Sequence, residues 1–144
     1  SARNTITCID LLDCERIDHG YFVLEDDAAV TRCRDEGIMF TCVFTTSRRA
    51  WRPFRRASIK AMSEAGLRIC LGADDPGMFP TTLTAEYMIA GEALGWDRKK
   101  LTETCLNSIE ASWMDPEEKR GWRAAFIKEI GVIDAETAGS PANP

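Results

Sequence analysis

Two short apolar runs, IMFTCVF at 38–44 and LRICLGA at 67–73, flank the helical pattern ASIKAMSEAG at 57–66. Each run is rich in β-prone residues and too short for a buried helix, so each reads as a strand covered on both faces. Strands separated by helices, at about the 30-residue length of a βαβ unit, belong to a parallel sheet. A third strand is expected just before His19, in the segment ERIDHG. A sheet of this kind needs helices to cover it, and the rest of the sequence supplies them.

Residues 5–13 (TITCIDLLD) carry apolar side chains at helical spacing. LEDDAAVTRCRDEG reads as a helix with acids near its start and Gly37 at its end. Gly66 stops the helix at 57–66. The stretch 81–95 is helical, with Thr81 or Thr82 as N-cap, and Asp97 caps another helix to about Trp113. Pro116, followed by Glu117 and Glu118, opens the last helix. The expected organisation is one domain over 1–136 and a flexible tail over 137–144 (TAGSPANP).

Composition narrows the function classes. Hydrophobic residues are 44% and charged residues 28%, the balance of a globular domain. A net charge of -5 disfavours a nucleic-acid partner, which a basic face normally recruits. The local run Arg48, Arg49, Arg52, Arg55 and Arg56 is broken by Trp51, Pro53 and Phe54, and reads as a solvated loop or helix start. No apolar run approaches the roughly 18 residues of a transmembrane span, so no membrane partner is expected. The six cysteines form no C-x-x-C pair and lie in apolar segments. They are read as reduced thiols in a cytoplasmic setting. Cys42 is read as core, and Tyr87 and Met88 as packing residues on a helix.

The candidate chemistry sits at strand ends. Asp74 and Asp75 follow the run 67–73 directly, and His19, the single histidine, follows ERID. In parallel α/β folds the C-terminal ends of the strands form the active face. Two adjacent buried carboxylates repel unless a cation compensates, and a divalent metal is the usual one. Plainer readings stand beside this one. Asp-Asp-Pro also suits an Asx turn with a helix cap, and a histidine before glycine also suits a satisfied core residue. Trp51 is a candidate for lining a pocket.

Taken together, CERIDHG (14–20), GLRICLGADDPGMF with TTLTAEYMIA (66–90) and LNSIEASW (106–113) resemble the C-terminal portion of the adenosine/adenine deaminase family. The resemblance covers roughly residues 5–130. It implies an α/β fold, the C-terminal part of a (β/α)8 TIM barrel with three parallel strands and terminal helices. It implies hydrolytic deamination of an aminopurine base or nucleoside by a zinc-activated water, with release of ammonia. By position it makes Asp74 a zinc (Zn2+) ligand, His19 the catalytic residue beside the metal-bound water, and Asp75 a substrate-binding residue that hydrogen-bonds the purine ring.

The departures are equally specific. The family's remaining zinc ligands, an early His-x-His and a further histidine, have no counterpart in a chain with one histidine. Neither does its proton-donating glutamate. The remaining ligands and the rest of the barrel are therefore expected from an N-terminal part outside this segment. The alternative is a non-catalytic α/β module that binds a ligand or partner. Where the family carries a Cys-Pro-x-Ser-Asn segment, this chain reads CVFTTSRRAWRPF (42–54). Cys42 is kept, and Arg48, Arg49 and Trp51 are expected to alter which aminopurine is accepted. A homo-oligomer is left open.

Overall fold

The structure, a computed structural model, describes residues 1–45 and 51–138. Its centre is a three-stranded parallel sheet of β1 (Arg16–Asp18), β2 (Met39–Cys42) and β3 (Arg68–Leu71), in the order β1-β2-β3. Ile17 pairs with Phe40 and Phe40 with Ile69, which aligns the three strands in register. Alternation then sends Ile17, Phe40, Cys42, Ile69 and Leu71 to one face. Arg16, Asp18, Thr41 and Cys70 go to the other.

Helices cover the apolar face. The helix α1 (Ala2–Leu12) precedes β1, and a short 3-10 helix (Tyr21–Glu25) follows it. The helices α2 (Asp27–Asp35) and α3 (Arg52–Glu64) provide the two crossovers. Phe40, Cys42, Ile69 and Leu71 join Cys33 of α2 and Ile59 and Met62 of α3 in one buried cluster. Burying a side chain of this size stabilises the fold by about 1.5–3 kcal/mol. After β3 come α4 (Leu83–Leu94), α5 (Arg98–Glu110) and α6 (Pro116–Ala138). This is the arrangement of successive strand–helix units of a (β/α)8 barrel, followed by terminal helices.

Local chemistry explains the boundaries. Asp26 caps α2 by accepting from the Ala28 and Ala29 N–H groups. Thr82 caps α4 through the Ala85 N–H, and Asp97 caps α5 through the Lys100 N–H. Gly95 ends α4 at φ +68°. The helix expected from residue 57 starts five residues earlier, with Pro53 in its first turn. Its opening turns carry arginines, which show no apolar periodicity. Two of them, Arg52 and Arg55, donate to the Thr45 and Val43 carbonyls, so the basic run is partly turned back into the fold. Met88, expected to pack, is exposed on α4, whereas Tyr87 packs against the core. Thr137 and Ala138, expected in the tail, still belong to α6. Arg48 and Arg49 lie outside the described residues. Among the described residues no helix is long and apolar enough to cross a membrane.

Candidate functional site

The polar sheet face opens into a cavity of ≈ 340 Å³. Arg16, Asp18, Thr41 and Cys70 contribute from the strands. His19, Val43, Gly72 and Asp74 contribute from just beyond their C-terminal ends, and Ser108 and Ser112 from α5 and the residues after it. The two residues singled out from separate strand ends, His19 and Asp74, therefore border one cavity. Asp75 sits on the exposed turn that follows, where its carbonyl accepts from the Met78 and Phe79 N–H groups. Asp75 and Trp51 are not among the residues lining the cavity. Trp51 meets the Phe54 ring edge-on instead, at 6.0 Å.

Both cavity residues have a left-handed backbone, His19 at φ +66° and Asp74 at φ +55°. Histidine and aspartate are among the few side chains that tolerate this region. The His19 N–H still donates to the Thr41 carbonyl at 2.8 Å, extending the ladder by one rung before the chain turns. Gly20 completes that turn at φ +63°, and a Cβ there would lie 2.6 Å from the Phe40 ring. The His-Gly pair thus joins a cavity residue to a glycine whose missing side chain lets the chain pass over the core. Such strain concentrates at functional sites.

Arg16 braces the cavity floor. Its guanidinium lies 3.5 Å from the Asp18 carboxylate, donates to the Ala111 carbonyl at the end of α5, and sits 4.3 Å over the Trp113 ring. Asn107 of α5 donates to the Ile69 carbonyl of β3 at 2.9 Å. These ties hold α5 beside the sheet. On the opposite face Cys42 is sealed, and burial first, then the nearby Cys70, pushes its thiol far up. That suits a core residue and disfavours a nucleophile.

Sequence reasoning missed Arg16, Asp18, Thr41 and Cys70 as cavity residues. The period-2 alternation of R-I-D would have flagged the first two once the strand was aligned. Ser108 and Ser112 carried no local signal, because only packing brings them to the cavity.

The His19 Nδ1 atom is buried and has no hydrogen-bond partner among the described residues. Such an orphaned nitrogen, beside a cavity that Asp74 also borders, suits a bound cation or a ligand proton. Among the described residues no three His, Cys, Asp or Glu side chains converge as a metal site. The donors present fit only part of a coordination sphere.

A parallel sheet with helices on one face and a cavity at the strand ends defines a segment of a (β/α)8-barrel protein. The family profile described as adenosine deaminase matches residues 1–129, and the chain belongs to that family. It is 31% identical over 109 residues to an adenine deaminase of Agrobacterium fabrum, covering 74% of this chain and 34% of that protein. It is 27% identical over 140 residues to the adenosine deaminase of Bos taurus, covering 96% of this chain and 39% of that protein. A zinc-bound amidohydrolase structure from B. ambifaria superposes with a TM-score of 0.85 at 28% identity, over 96% of this chain and 40% of the other. The chain thus spans less than half the length of each of these relatives.

Proposed function

We propose that the protein of which this chain forms part hydrolyses the exocyclic amine of an aminopurine base or nucleoside, releasing ammonia. Water adds to the ring carbon bearing the amino group, the carbon–nitrogen bond breaks, and an oxo-substituted ring remains. The observation that carries this reading is the meeting of His19 and Asp74 in one strand-end cavity. Membership of the adenosine deaminase family supports it.

In this reading Asp74 is one ligand of a zinc ion, and the other ligands come from the part of the barrel beyond these residues. Zinc, when bound, supplies a water acidic enough to attack near neutral pH. His19 holds and moves a proton at its ring nitrogen, its direction fixed by the ladder bond to Thr41 and the turn at Gly20. Asp75, on the turn one residue beyond the cavity lining, would hydrogen-bond the heterocycle. Arg16 keeps α5 against the cavity and so helps to exclude bulk water.

The test is ammonia release by the full-length protein from adenine, adenosine and other aminopurines, with metal content measured in the same preparation. One of these substrates is expected to turn over in a zinc-containing protein. Inactivity on all of them, with no metal bound, would leave the non-catalytic binding module as the better account.

A further inference from the structure

Glu86 is fully buried on α4, and its carboxylate is met by a backbone N–H and two hydroxyls. Its partners come from two different loops. The Phe44 N–H donates to Oε2 at 2.6 Å. The Thr81 hydroxyl donates to Oε1 at 2.9 Å, and the Thr45 hydroxyl makes a short bond to the same oxygen. The two hydroxyls also lie 2.8 Å from each other. A carboxylate only accepts, and here three donors converge on it.

Those two loops carry the cavity wall. Phe44 and Thr45 follow Val43, which borders the cavity and is fixed from its other side. The Tyr21 hydroxyl donates to the Val43 carbonyl at 3.1 Å and accepts from its N–H at 3.2 Å. Thr81 ends the loop that begins with Asp74 and Asp75. That loop is anchored near β3 by the Gly72 N–H bond to the Cys42 carbonyl, while most of its residues are exposed. Its far anchor is Thr81, held by Glu86.

We propose that Glu86 is a positioning residue of the site: one buried carboxylate sets the spacing between the loop after β2, with Val43, and the loop after β3, with Asp74. Its effect on turnover rests on the deaminase reading, whereas the coupling of the two loops does not. Glutamine at this position keeps the shape but turns one acceptor into a donor that opposes the converging N–H and hydroxyls.

Hydrogen exchange on the full-length protein tests the coupling. In Glu86→Gln, amides at 43–45 and at 77–79 and 81 are expected to exchange about tenfold faster together, the scale set by losing a charge-assisted hydrogen bond. Amides of the central strands should keep their protection. Acceleration in one loop alone, or an equal rise throughout the core, overturns the proposal. If Glu86→Gln does not fold, Thr81→Val makes the same test, because it removes a hydroxyl that both loops share.

Kinetics supply the second readout. kcat/KM for the aminopurine should fall about tenfold in Glu86→Gln at unchanged metal content. An unchanged kcat/KM in an active protein overturns the positioning role. Should the unsubstituted protein deaminate nothing, the deaminase reading fails and exchange alone decides the fate of Glu86.

Discussion

The two faces of the same small sheet obey opposite rules. Toward the helices, Phe40, Cys42, Ile69 and Leu71 are buried among apolar neighbours. Toward the cavity, Arg16, Asp18, Thr41 and Cys70 present charge, a hydroxyl and a thiol. Adjacent residues differ this sharply because the strand period is two, so neighbouring side chains meet different surroundings. The covered face holds the buried apolar cluster. The open face lines a cavity with polar groups.

The contrast is sharpest in stability. Phe40→Ala should destabilise the protein by about 3–5 kcal/mol in urea denaturation, because it removes a ring from a closed core. Thr41→Val, one residue along, removes only the hydroxyl that accepts from the Cys70 thiol and should cost about 0.5–1.5 kcal/mol. Comparable losses from the two would mean that both faces are packed alike.

Activity should show the reverse. Asp74→Asn keeps the side-chain shape and suits the left-handed backbone at this position. It should leave the urea stability of the metal-free protein almost unchanged, while metal content and ammonia release by the full-length protein fall about a hundredfold. Full metal occupancy in this variant would remove Asp74 from the proposed coordination.

The smallest expected effect is on pH dependence. Burial raises the Cys42 and Cys70 thiols, one on each face of the sheet. Their contribution to stability is fully present below the ordinary thiol pKa of about 8.5. It declines as pH rises beyond that value, because the unfolded chain then releases protons that the folded chain keeps. Unfolding free energies from urea titrations should therefore fall between pH 7.5 and 9.5, by an amount on the order of 1 kcal/mol. A free energy that rises over this range would contradict the assignment.

Much of this was legible in the linear chain. The apolar runs at 38–44 and 67–73 became β2 and β3 because they cluster β-prone residues between helical segments. Asp26, Thr82 and Asp97 cap helices through bonds to N–H groups only two or three residues ahead, so short-range chemistry sufficed. The start of α3 was harder, since its arginines make contacts with Val43 and Thr45 that no local pattern announces. Met88 was misjudged for a similar reason: an apolar side chain on a helix says nothing by itself about which neighbour arrives to cover it.

The sequence by itself determined the alternation of strands and helices, the helix caps, and the placement of His19 and Asp74 at strand ends, because propensity and periodicity act over a few residues. The tertiary structure alone decided that these two share a cavity, that Arg16 reaches the end of α5, and that Glu86 gathers donors from two loops. These depend on partners as many as 95 residues apart in the chain, whose meeting is set by sheet register and helix packing.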